Sequence, residues 1–266
     1  MMSTVVISSA AIPILWGWWV HRRTTLAHSF FWIAMAWFAW WVSSRSEGPS
    51  WRYLAVCLTC CAGVAVLGAR RPGVTAWHAV VAGLTAVLLL PLAEGFFSGR
   101  DLSPSDNLRW LFLAVATAFG LLNYVPTRLG IAASLMLLAV AGELYLLRWA
   151  GSETWHQWAV ILAGAAPWVG WMTMSLRRTS ADQATQRWLD FRNRFGVVWA
   201  WRLREQFNNS SLHRQLGLEL TWGGVRRSDG GELSEADREG ANETLAALML
   251  RFGMVEPPGI ETESGR

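Results

Sequence analysis

No lysine occurs anywhere in this 266-residue chain; all 23 basic residues are arginine. That absence removes every chemistry that needs a side-chain amine: a retinal Schiff base, a catalytic imine, the lysine of a phosphate-binding loop. Charge of either sign is scarce too, at 16% of residues against about 25% in an ordinary soluble domain. Cysteine is confined to Cys57, Cys60 and Cys61. With 53% of residues hydrophobic and a mean hydropathy of +0.25, the chain reads as a membrane protein.

What the chain has in excess is tryptophan, nineteen residues of it, mostly near the ends of apolar runs. Trp16, Trp18, Trp19, Trp37, Trp40, Trp41, Trp51, Trp77, Trp110, Trp149, Trp155 and Trp158 all sit this way. An indole is apolar with one N–H donor and settles at headgroup level, so these residues are expected to form an interfacial belt. A haem- or quinone-lining surface is the alternative use of so many indoles. The string WGWW at positions 16–19 resembles a fragment of the tryptophan-rich motif of haem-handling cytochrome c assembly proteins. The acidic continuation of that motif is replaced by Val20, His21 and Arg22, so the resemblance assigns no family.

Stretches without Asp, Glu or Arg cover 1–20, 24–44, 53–69, 72–93, 110–127 and 154–176, and 129–147 carries the single acid Glu143. A helical crossing needs about 20 residues, so these predict seven crossings, some completed by flanking residues. No positive charge precedes the first run, while His21, Arg22 and Arg23 follow it. A signal peptide has the reverse order, so a retained first helix with its N-terminus outside is expected. Loops predicted inside then carry seven arginines (Arg22, Arg23, Arg70, Arg71, Arg128, Arg177, Arg178) against five outside (Arg45, Arg52, Arg100, Arg109, Arg148). The expected fold is an all-α polytopic bundle over 1–178, N-out and C-in. A small cytoplasmic α(+β) module over 179–256 and a disordered acidic tail over 257–266 complete it.

Pro167 is expected to kink the seventh crossing. Small residues recur four apart at Ala79 and Gly83, Ala116 and Gly120, Gly130 and Ser134, and Ala166 and Gly170, which favours close helix approach in lipid. RRTTLAH ending at His28 is echoed by RRPGVTAWH ending at His78, as a duplicated helix pair or two similarly charged inner loops would produce.

Beyond the last crossing the charge divides. Residues 179–227 hold eight arginines and four acids, and 228–266 hold three arginines and nine acids. The pattern predicts a helix over 182–208, a short strand through Leu218, Leu220 and Trp222, a turn at 229–231 and a second helix over 235–252 opened by a Ser234 and Asp237 capping pattern. On a helical wheel Trp188, Phe191, Phe195, Val198, Trp199, Leu203 and Phe207 share one half. Val197 and Trp201 form a second patch, so burial on two sides is expected. Arg187, Arg192, Arg194, Arg202 and Arg204, with Trp188, Trp199 and Trp201, are the candidate membrane-surface and docking residues, facing anionic headgroups and a protein partner. No nucleic-acid reader motif is present.

Three constellations bear on chemistry. Cys57 and Cys60 share a helix face and could exchange thiols with outer disulfides, or simply fill space. Glu143 lies within a crossing, with Glu94, Arg109, Arg148 and His156 near it in depth; an intramembrane carboxylate is a functional candidate by default, and Arg148 or a neighbouring arginine is its expected partner. The five histidines form no paired axial set at mid-membrane depth, so no haem, metal or other cofactor is expected. The reading that follows is an inner-membrane, non-enzymatic scaffold or accessory (assembly) subunit of a membrane complex. The alternatives are a small-solute or ion transporter using Glu143, or a membrane thiol-disulfide oxidoreductase using Cys57 and Cys60.

Overall fold

A computed structural model describes residues 2–46, 48–98, 107–149, 153–176, 182–210 and 217–254. The chain is mostly helical (80%) and divides into two compact units, Met1–Ala69 with Gly73–Arg177, and Arg70–Pro72 with Arg178–Arg266. The loop centred on residues 99–106 and the expected tail over 257–266 lie outside the described residues.

The first unit consists of α1 (Met2–Ser9), α2 (Ala11–His21), α3 (Ala27–Ser43), α4 (Pro49–Leu67), α5 (Val74–Ser98), α6 (Asn107–Leu122), α7 (Gly130–Trp149) and α8 (Glu153–Ser175). Among the described residues, four helical stretches are long and apolar enough to cross a membrane: Met2–His21, Pro49–Leu67, Val74–Phe97 and Gly130–Trp149. The first of these is one continuous helix in the sequence reading and two in the structure. Pro13 explains the break, because it cannot donate to the carbonyl of Ser9 and its ring crowds that turn. Pro167 and Pro91 lie inside α8 and α5.

The core of this unit gathers Trp40, Ala55, Val56, Cys57, Cys60, Cys61, Leu113, Ala139, Val140 and Val160, with α4 at its centre. Indole N–H groups tie the helices together. On α3, Trp32 donates to His78 Nδ1 on α5 (3.1 Å), Trp37 to the carbonyl of Ile7 on α1 (2.7 Å), Trp40 to Thr59 Oγ1 on α4 (3.0 Å) and Trp41 to Ser8 Oγ on α1 (3.1 Å). Trp77, Trp110 and Trp168 donate likewise to Val64 O, Leu144 O and Ser9 Oγ. The sequence reading places Trp37, Trp40, Trp41, Trp77 and Trp110 in an interfacial belt; a buried indole must find an acceptor, and in these cases a neighbouring helix supplies it. Trp16, Trp18, Trp19, Trp51, Trp149, Trp155 and Trp158 do remain exposed.

In the second unit α9 (Gln183–Asn209) packs against a hairpin of β1 (Leu218–Thr221) and β2 (Gly224–Arg227) and against α10 (Glu235–Met249), which ends in a 3-10 turn over Leu250–Phe252. The strands are antiparallel with Leu218 opposite Arg227 and Leu220 opposite Val225. Asp182 caps α9 by accepting from the backbone N–H of Ala184 and Thr185. Ser234 and Asp237 form the expected capping box of α10. Asn208 borders β1, donating to Leu220 O (3.1 Å) and accepting from Leu220 N (2.7 Å). The tripeptide Arg70–Pro72 belongs to this unit: the Arg71 N–H donates to Arg251 O at 2.8 Å, and the Arg70 guanidinium lies 5.9 Å from the Trp199 ring.

Candidate functional site

Glu143 occupies the fourth turn of α7 and has no exposed surface. Its partner is His156, one turn into α8, through a hydrogen bond between Oε1 and Nδ1. The other ring nitrogen, Nε2, faces the carbonyl of Ser43 at 3.1 Å. Ser43 is the last residue of α3, so that carbonyl is one of the four a helix C-terminus leaves without an internal partner. One imidazole thus joins three helices. Glu143 Oε2 is buried and accepts no hydrogen bond among the described residues.

The expected partner, Arg148, is elsewhere. Five residues after Glu143, it projects from a different side of α7, and its guanidinium lies 5.3 Å from the Trp149 ring and 5.9 Å from the Trp110 ring. Glu94 and Arg109 meet each other at 4.0 Å, with side chains 66% and 46% exposed, and so form a surface pair. A residue absent from that candidate group, Arg52 on α4, hydrogen-bonds Glu153 on the first turn of α8. Glu153 and His156 are three apart and share a helix face, which places two hydrogen-bonded acid–base pairs one turn apart at the end of the bundle where α3 stops and α4 and α8 start.

The three thiols are enclosed. Cys57, Cys60 and Cys61 are all at 0% exposure and unbridged, with Cys61 Sγ accepting from Thr85 Oγ1 at 3.1 Å and Cys57 Sγ 3.9 Å from Leu88 O. Thiol exchange requires an accessible sulfur, and the geometry gives these the part of small core residues. No group of three or more His, Cys, Asp or Glu suited to a metal occurs among the described residues. His28 and His78 do approach, with ring centroids 5.1 Å apart. Trp32 donates to His78 Nδ1, so the neutral ring keeps its hydrogen on Nε2 and offers no lone pair there to a metal. His213 lies outside the described residues.

Along α9 the buried residues are Ala184, Trp188, Phe191, Asn193, Phe195, Gly196, Trp199, Ala200, Leu203 and Phe207; of the face the wheel predicts Val198 is only half-buried, and the polar Asn193 is buried in addition. Phe191 and Phe195 stack at 4.8 Å, and Phe252 meets both edge-on at 4.8 and 4.9 Å. Trp188 and Trp199 belong to this internal core rather than to an outer surface. Arg192 is also turned inward, donating to Trp222 O at 2.6 Å with its guanidinium 5.0 Å from the Trp222 ring. Arg187, Arg194 and Arg204 are half-buried. Arg202 and Trp201 are exposed, Trp201 to 55%, and Val197 is half-buried, so the second patch is covered only in part; the Arg204 guanidinium rests 4.5 Å from the Trp201 ring.

Guanidinium groups rest on indole rings at several places, among them Arg22 on Trp19 at 3.6 Å, Arg45 on Trp41 at 3.8 Å and Arg204 on Trp201 at 4.5 Å. These contacts suit a chain whose bases are all arginine, since a planar guanidinium stacks on an indole where an ammonium presents only a point charge.

These features define a class: a mostly helical chain with several membrane-compatible helices, tryptophan-rich aromatic clusters and a compact second unit containing a two-stranded sheet. Comparison with protein-family models, curated proteins and solved structures yields no match.

Proposed function

We propose that the chain is a seven-crossing inner-membrane protein, N-terminus outside and module in the cytoplasm, acting as a non-enzymatic scaffold or accessory subunit of a membrane complex. The shorter apolar helix α6, together with α3 and the long helix α8, would supply the crossings beyond the four stretches that are long and apolar enough by themselves. The observation that carries the docking role is the division of α9. One side is spent on the module's own core, and the other leaves Trp201 and Arg202 exposed beside Arg204. An aromatic residue flanked by arginines is the composition that protein interfaces favour, and it suits an acidic protein surface, with anionic headgroups as the bilayer's own contribution. Purification of the full chain in mild detergent tests this. A co-purifying protein lost on the combined substitution Trp201→Ala and Arg202→Ala supports the reading, and a partner-free monomer overturns it.

A second reading, small-solute or ion transport through Glu143, draws support from the buried, unbonded Oε2. Nothing in the geometry favours thiol-disulfide exchange at Cys57 and Cys60.

A further inference from the structure

The Glu143 and His156 pair can be followed hydrogen by hydrogen. A carbonyl only accepts, so the His156 Nε2 that faces Ser43 O carries a hydrogen. One hydrogen remains for the contact between Nδ1 and Glu143 Oε1. It lies on the ring, giving imidazolium and carboxylate, or on the oxygen, giving imidazole and carboxylic acid. Both forms are net neutral, which suits a pair with exposures of 3% and 0%. Without that hydrogen the Nδ1 lone pair would face a carboxylate oxygen, and the contact would turn from attraction to repulsion. The link between α7 and α8 therefore exists only while the proton is present.

We propose that Glu143 and His156 form a proton-loading site, and that release of their shared proton to water opens the link joining α7, α8 and α3. Two observations point the same way. Buried carboxylate oxygens are in most cases hydrogen-bonded, yet Oε2 is buried without a partner among the described residues. His156 also lies one turn from Glu153, whose side chain is 63% exposed and paired with Arg52, so the site sits within one helical turn of a solvent-exposed group. The step balances without a co-reactant: the neutral pair becomes a carboxylate and a neutral imidazole, and one proton passes to water with no electron transferred.

Other titratable groups on the helices packed here are Arg52, Tyr53 and the three thiols on α4, Arg109 on α6, Tyr145 and Arg148 on α7, Glu153 on α8, His21 on α2 and His28 on α3; α1 has none within Met2–Ser9. The site rests on the residue of the transport reading and names the proton as what that residue handles. It does not depend on the docking reading.

The test uses the full-length chain in detergent and a pH-indicator dye in weak buffer. Glu143→Gln is informative because an amide N–H can donate to the neutral Nδ1 and hold the link closed with no shared proton to lose. On moving from acid to alkaline buffer, the wild-type chain should release about one more proton per molecule than this variant, which lacks the shared proton. Its thermal midpoint should fall over the same range while the variant's stays level. Equal release with parallel thermal profiles overturns the proposal. Should the variant not fold, hydrogen exchange on the wild-type chain decides: amides around residues 143 and 156 lose protection at alkaline pH beyond the intrinsic rise in exchange rate, and unchanged protection overturns it. Glu143-dependent release by a chain that moves no solute upholds the site and ends the transport reading. Solute uptake alongside a pH-insensitive link overturns the site and leaves transport standing.

Discussion

Gly63 on α4 and Gly120 on α6 meet backbone to backbone: a Cβ on Gly120 would lie 2.9 Å from the Gly63 Cα, and one on Gly63 would lie 3.2 Å from the Gly120 Cα. Such distances leave no room for a methyl group unless the helices separate. Gly120→Ala should therefore destabilise the bundle by about 1–3 kcal/mol, the usual cost of overpacking. Gly83 provides the control. It belongs to a small-residue pair of the same spacing, yet nothing lies within 4 Å of its hypothetical Cβ. Gly83→Ala should leave stability unchanged or slightly raised through helix propensity. Thermal unfolding of the two variants in detergent separates them, and similar losses would contradict the close contact.

Trp40 tests the indole ties. Its ring is 1% exposed, and its N–H donates to Thr59 Oγ1, whose own hydroxyl donates to Ala55 O. Trp40→Phe removes the donor and part of the ring's volume. Interhelical hydrogen bonds in membranes average about 0.6 kcal/mol and reach about 1.7 kcal/mol, so a loss in or above that range is expected, the smaller ring adding to it. An exposed indole such as Trp155, replaced in the same way, should cost little. If Trp155→Phe proves the more damaging in the same unfolding assay, the division of indoles into ties and exposed residues is wrong.

The contrast between those two tryptophans shows what the sequence can and cannot convey. Hydropathy marks apolar runs because burial in lipid or core depends on composition, and the α9 face is legible because a 3.6-residue period survives in Trp188, Phe191, Phe195, Trp199, Leu203 and Phe207. Which indole turns inward depends on an acceptor supplied by another helix, and no local pattern encodes that. The partner of Glu143 is hidden for the same reason. An arginine is the natural guess from charge, whereas the facing residue thirteen positions on, His156, is fixed by how α7 and α8 pack. The break after Ser9 had a local signal in Pro13, and reading the run by hydropathy alone passes over it.

The module should lose stability in acid in a way that depends on Asp237. The Ser234 side-chain hydrogen bond, followed by the Ser234 backbone N–H and Arg227, holds this carboxyl below the usual carboxylate range. The nearby Asp229 is also held low, first by the Gly231 backbone N–H and then by Arg227. A carboxyl with a lowered folded-state value contributes stability above its ordinary range, and that contribution disappears as pH falls through the lowered value. Asp237→Asn should therefore weaken the module at neutral pH and flatten its acid-side loss. Asp229→Asn should do the same to a smaller degree, since Asp229 does not belong to the capping box. Near-ultraviolet circular dichroism of the full chain against pH reads both, and identical acid profiles for wild type and Asp237→Asn would count against this assignment.

Gly196 decides whether the two halves of α9 keep their faces in register. With φ 78° and ψ −175° it is non-helical inside an otherwise helical segment, in a backbone region open essentially to glycine alone. The buried stripe nevertheless continues through it, with Phe191 and Phe195 on one side and Trp199, Leu203 and Phe207 on the other all facing the same core. Gly196 thus acts as a joint that lets the chain change direction without turning its apolar side outward. Any Cβ at this position is strained, and Gly196→Ala should cost about 1–3 kcal/mol. If the residue instead regularised into helix, Trp199 would lose its place against Phe252, now 5.3 Å away, and an aromatic circular dichroism change would accompany the lower unfolding midpoint. Gly240→Ala serves as the reference, because that glycine lies within α10 with open space around its Cβ position and should tolerate a methyl group. Equal behaviour of the two variants would show that the segment can straighten freely and that residue 196 is not the joint.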